Sequence, residues 1–131
     1  MKTIRFPFTV ITFLVLFSCA TSVKFPVSEV TPGARINARI HTDKNENINV
    51  DISAKYLASP ERLTPSRTTY VVWVETVSNG IINIGQLQSK SSQKSKLEAI
   101  TPFEPVEIFI TAENDGSVKE PQGELISKAR F

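Results

Sequence analysis

The chain has 131 residues, 40% hydrophobic and 21% charged, with fifteen basic and thirteen acidic side chains, one histidine and one cysteine. That length bounds it to a single domain, and a formal charge of +2 falls short of the concentrated positive charge of a nucleic-acid-binding protein. One cysteine excludes an internal disulfide framework and any Cys-x-x-Cys metal or redox pair.

In chain order, Lys2 and Arg5 come first, then an apolar stretch over residues 6–17 broken only by Pro7, Thr9 and Thr12, then Leu16-Phe17-Ser18-Cys19. A positive start followed by an apolar segment too short for a standard spanning helix is the layout of a signal peptide. A branched apolar residue three before a cysteine, with a small residue just before it, resembles the lipobox of bacterial lipoproteins. The resemblance implies cleavage after Ser18 and attachment of fatty acyl chains, palmitate among them, at Cys19. Two or more such chains hold a protein stably on a membrane where one does not. With Ala20 rather than aspartate after Cys19, the expected destination is the outer membrane, facing the periplasm. Loss of Lys2 and Arg5 leaves thirteen basic residues against thirteen acidic ones, so the mature chain is neutral and no nucleic-acid partner is expected. The domain division is then signal peptide 1–18, anchor and short tether 19–30, and a folded domain 31–131.

Within that domain the apolar period is two, the mark of half-buried strands. Ile36, Ala38 and Ile40 alternate with Asn37, Arg39 and His41, and Ile48, Val50, Ile52 and Ala54 alternate with Asn49, Asp51, Ser53 and Lys55. The polar, turn-forming residues 42–47 between them predict a hairpin. Residues 70–77 are nearly continuous in apolar and β-branched side chains, which predicts an interior strand covered on both faces. Asn79-Gly80 then predicts a two-residue turn that sets Val77 opposite Ile82, with a bulge at Gly85 where the apolar phase slips. Residues 88–96, without an apolar side chain, predict a surface loop. Strands resume at Leu97, Ala99 and Thr101, at residues 106–112, and at residues 124–127. The sum is an all-β fold, an immunoglobulin-like antiparallel sandwich of roughly seven strands after an N-terminal signal peptide.

Tyr70-Val71-Val72-Trp73, the Asn79-Gly80 turn, Gly85, and Ile110-Thr111-Ala112-Glu113 followed by Gly116, Pro121 and Gly123 resemble the extracytoplasmic C-terminal domain of anti-sigma-K-type factors, over residues 69–127. The family's Glu-Pro-x-Gly-Gly turn is Glu113-Asn114-Asp115-Gly116 here, and the sigma-binding helical portion has no counterpart in the sequence. The resemblance therefore implies the outer module alone, and no antagonism of a sigma factor.

His41, the sole histidine, sits on the polar side of its strand with no Gly-x-Ser-x-Gly elbow to serve, and reads as a solvated strand-end residue. Residues 43–49 begin like a calcium loop, but Ile48 stands where the glycine belongs and Ala54 where the closing glutamate belongs. Tyr56, Tyr70 and Trp73 are candidates for an exposed aromatic platform suited to a glycan, although the mid-strand place of Trp73 points to the core. Lys90, Lys94 and Lys96 read as a solvated loop. No catalytic set, metal site or cofactor cradle is expected. The functional expectation is a non-enzymatic envelope lipoprotein held on its membrane through Cys19, serving as a protein-interaction or structural module for an envelope partner. The alternative is a carbohydrate-binding module.

Overall fold

The alternation over residues 36–54 forms the hairpin it predicts. Arg35–Thr42 (β2) and Ile48–Lys55 (β3) pair antiparallel, with Ile36 opposite Ala54, Ala38 opposite Ile52 and Ile40 opposite Val50. Because side chains alternate across a strand, those residues line the interior while Asn37, Arg39, Asp51 and Ser53 line the outer surface. The structure is a computed structural model that describes residues 3–4, 10–12 and 20–131. Cys19, the expected lipidation site, lies outside the described residues.

The remaining strands are Ala20–Lys24 (β1), Thr69–Thr76 (β4), Gly80–Gln86 (β5), Gln88–Ser89 (β6), Lys94–Thr101 (β7), Pro105–Glu113 (β8) and Glu124–Arg130 (β9). They form two antiparallel sheets, ordered β1-β2-β3-β7-β6 and β5-β4-β8-β9. Setting β1 aside, this is the strand order of an immunoglobulin-like sandwich. The only helical element among the described residues is a single 3-10 turn, Pro60–Arg62.

Among the described residues nine strands replace the roughly seven expected, and the two additions are β1 and β6. Residues 20–24, expected within a tether, are instead an edge strand whose ladder to β2 runs from Ala20 opposite His41 to Lys24 opposite Asn37. The folded domain thus includes residues 20–24. Phe25, just beyond β1, is buried and donates its amide to the Ile36 carbonyl at 2.9 Å, and the Ser28 hydroxyl accepts from the Val30 and Thr31 amides to turn the chain into β2. Residues 88–96, expected as a loop, contain β6 and the first turns of the β7 ladder, with Gln88 opposite Lys96.

β4 is covered on both faces. Tyr70, Val72 and Val74 join Ile108, Ile110, Ala112 and the β2 and β3 interior residues in the main core. Val71 and Trp73 point the other way, onto the outer side of the four-stranded sheet, where they pack with Phe109 and Val118. Trp73 and Phe109 are stacked, ring centroids 6.2 Å apart. The cover is the connection between β8 and β9, residues 114–123, which Asn83 pins by donating to the Gly116 and Val118 carbonyls, each at 2.9 Å. Trp73 is therefore buried, as its mid-strand place leads one to expect, in a second cluster on the outer side of its sheet rather than between the sheets.

Beneath that cover runs a chain of hydrogen bonds. The Trp73 indole donates to Thr111 Oγ1 at 2.8 Å, and the Thr111 hydroxyl donates to Glu113 Oε1 at 2.7 Å. The same carboxylate oxygen accepts from the Gln122 amide at 3.0 Å and the Gly123 amide at 3.1 Å. Glu113 is only 2% exposed, so these donors stand in for the water it gave up. Trp73, Thr111, Glu113 and Gly123, four of the residues that carry the sequence resemblance, are one structural unit that fastens the connection to the sheet.

The β4–β5 hairpin differs in register from the two-residue turn. Thr76 lies opposite Gly80, Val74 opposite Ile82, and residues 77–79 form the loop. The Thr76 hydroxyl donates to the Gly80 carbonyl and accepts from the Asn79 amide, closing the turn one residue early, while Gly80, the first residue of β5, takes the left-handed φ of +69°. The bulge is where the sequence places it: Val72 faces Gly85 and Trp73 faces Asn83, leaving Ile84 unmatched.

Candidate functional site

The residues singled out in the sequence fall at separate places. His41 lies near the end of β2, half-buried, its Nδ1 3.8 Å from an Asp51 carboxylate oxygen and without a hydrogen-bond partner. Among the described residues no three His, Cys, Asp or Glu side chains gather closely enough to hold a metal. Asp43 folds the β2–β3 loop on itself: its Oδ1 accepts from the Asn45 amide at 2.8 Å and the Asn47 amide at 3.0 Å. Desolvation pushes the Asp43 carboxyl upward, but those amides outweigh it and hold the group below its ordinary value. That is the anatomy of a turn, in which the carboxylate oxygens are spent on the chain itself.

The aromatic platform is not assembled. Trp73 is fully enclosed, and Tyr70 is buried with its hydroxyl donating to the Ala58 carbonyl at 2.6 Å. Burial, and secondarily the nearby negative charge of Glu61, push the Tyr70 phenol up to about 12, so it remains a proton donor. Only Tyr56, 51% exposed, presents a ring to solvent.

What the fold does assemble is the outer face of the five-stranded sheet. Register aligns its outward side chains into rows across the strands. Arg35, Lys55 and Lys94 form one row, and Lys24, Asn37, Ser53 and Lys96 the next. Ser22, Arg39, Asp51 and Glu98 follow, then Ala20, His41, Asn49 and Ile100. A shallow groove of about 550 Å³ runs over the middle rows, between Lys24, Arg39 and Lys96. Opposite charges meet only in the third row, where Arg39 faces Asp51; the first two hold five cations and no anion. Directly opposed side chains in an antiparallel pair lie roughly 5 Å apart, and like charges at that separation destabilise the sheet.

No family model, curated protein or solved structure matches this chain.

At the rim of the cationic rows stands Tyr56, whose φ of +57° is rare for a bulky side chain. Its amide donates to the Gln93 carbonyl at 2.8 Å, fixing this conformation between the ends of β3 and β7, and the Arg35 guanidinium lies 6.0 Å from its ring centre. An aromatic face, its attendant guanidinium and four amines thus share one corner of the molecule. Two of these amines, Lys94 and Lys96, fall in the stretch the sequence predicts as a loop and the structure places in β7. Extending the Leu97 and Ala99 phase backwards through Ser95 would have placed both lysines on the outward side of a strand, since Ser95 is half-buried and its neighbours exposed. Their alignment with Arg35 and Lys55 needs the strand register, which no local pattern carries.

Proposed function

We propose that this chain is a non-catalytic lipoprotein of the bacterial envelope, anchored through Cys19, whose sandwich binds an acidic protein partner with the cationic end of its five-stranded sheet. The single observation that carries the reading is the row of Arg35, Lys55 and Lys94 beside Lys24 and Lys96, five positive side chains on a surface of a chain whose mature net charge is zero. Such a concentration has a cost in the free protein, and an acidic surface laid across it offsets that cost while steering encounter. Tyr56 supplies a rigid aromatic contact of the kind enriched at interfaces. The glycan alternative retains one exposed ring of the three it needs, and no further observation favours it. The resemblance to the anti-sigma-K-type outer domain supports the same class, an envelope-side module without enzymatic equipment, because the residues that carry it hold the scaffold together.

Crosslinking in intact cells tests the reading. The wild-type chain captures an acidic protein, and Lys55→Glu with Lys94→Glu abolishes the capture while leaving the melting temperature essentially unchanged. In purified form the association weakens steeply with salt. Capture unaffected by both charge reversals would refute the assignment of this face.

A further inference from the structure

We infer that the opposite end of the sandwich, where β1 begins, rests on the lipid surface that carries the anchor, with Val77, Ile100, Phe103 and Phe131 as its contact residues. This rests on the lipid-anchored reading above. These four side chains are exposed apolar groups, Val77 77% and Ile100 65% accessible, and the strand pairings set them at one end of the sandwich. Ile100 immediately precedes Thr101 at the end of β7, and Phe103 lies in the connection to β8, its amide bonded to Thr101 Oγ1 at 3.2 Å. Val77 follows Thr76, which lies opposite Pro105 at the start of β8. Phe131 donates its amide to the Val106 carbonyl at 3.1 Å.

The lipid surface is singled out by where the chain enters the fold. Ala20 stands in the row of His41, Asn49 and Ile100, at this same end of the sheet. The peptide bond sets the Cα of Cys19 about 3.8 Å from that of Ala20, so acyl chains on Cys19 leave no slack between bilayer and sandwich. The neighbouring side chains are brought to the level of the headgroups, where apolar groups gain by dipping roughly 5–10 Å toward the acyl boundary. A second copy is a poorer occupant, since four side chains fall well short of the roughly 800 Å² per partner of a stable interface. Glu46 and Glu104 border the recess beside Phe131, and Lys44 is the only cation of the β2–β3 loop, so the contact is apolar and independent of anionic lipid. Arg35 lies six residues along β2 from His41, roughly 20 Å further from the membrane at about 3.3 Å per residue, which leaves the cationic end facing outward.

The test uses the full chain, expressed, purified from membranes and reconstituted in phosphatidylcholine vesicles with brominated acyl chains. Trp73 provides a constant buried background. In Phe103→Trp, and in Ile100→Trp as an independent second variant, the added indole emission is quenched and blue-shifted, whereas in Leu125→Trp, at the far end, it is unchanged. Fatty-acid labelling of the same preparation reads the anchor separately. If label is absent the anchored reading fails, and docking is then read identically on chain coupled through its single thiol to a maleimide lipid. Equal quenching at both ends, or none at position 103 and position 100, overturns the inference, and a stable dimer in place of quenching overturns it in favour of a second copy.

Discussion

Glu113→Ala tests the fastening of the 114–123 connection. The substitution removes one acceptor oxygen from three donors at once: the Thr111 hydroxyl, itself held by Trp73, and the Gln122 and Gly123 amides. A buried donor left without a partner costs about 1–3 kcal/mol. Water can reach the exposed Gln122 side, and removing a buried charge recovers some desolvation energy, so the expected net loss is about 3 kcal/mol rather than the full sum. In a domain of this size that lowers Tm by about 12 °C. Because the connection covers Trp73, its loosening also shifts native-state tryptophan emission to the red. Glu113→Gln keeps an acceptor oxygen and forfeits only the charge-assisted part, for a loss of about 1 kcal/mol with emission unchanged. Thermal melts and fluorescence on the two variants check both halves. If Glu113→Ala melts within about one degree of wild type, the carboxylate holds nothing. If it melts low while its native emission stays put, the link from Glu113 through the connection to Trp73 is wrong.

Three further substitutions probe packing and charge. A side chain at Gly123 would fall on the Ala112 carbonyl, which belongs to β8 and cannot retreat, so Gly123→Ala costs more than about 3 kcal/mol; at Gly116 the obstruction is only the far end of the Gln86 side chain, and Gly116→Ala costs less than about 1 kcal/mol, both measured by denaturant melts. Arg67 grips Glu124 with two hydrogen bonds, at 2.8 and 2.6 Å, and chiefly through them holds the Glu124 carboxyl below its ordinary value. A carboxylate depressed in the folded state stabilises above its unfolded value and loses that contribution as pH falls through the folded one. Arg67→Met therefore lowers Tm at about pH 7 and converges on wild type near about pH 2.5; an equal deficit at both would contradict the pairing.

How much was legible follows the reach of each signal. β2 and β3 were readable because one face is buried and the other wet, so alternation fixes each strand and its inward face, while the pairing of Ile40 with Val50 comes from the structure. β4 was readable as a strand but not as a direction: a run apolar on both sides has no phase, and only the 114–123 connection shows that Trp73 points away from the inter-sheet core. The Asn79-Gly80 signal marked the hairpin correctly and misjudged its loop, because the Thr76 side chain, outside the dipeptide, completes the turn. β1 escaped because it buries little, Val23 being its one half-buried side chain, and owes its shape to the β2 ladder. The cationic rows escaped for a related reason: Arg35, Lys55 and Lys94 are far apart in sequence and meet only through two strand registers.

The placement of β1 also fixes how the molecule bears load. A pull on the chain ahead of Ala20, opposed by a partner held at the cationic end, acts along the strands rather than across them. The five β1–β2 pairs from Ala20 and His41 to Lys24 and Asn37 are then strained in shear and share the force together, whereas a pull across the ladder would part them one after another. Detachment of β1 would bare the unpaired edge of β2 and draw Phe25 from the core. On the proposed anchoring through Cys19, β1 acts as a mechanical fastener whose rupture would expose β2 to edge-to-edge association.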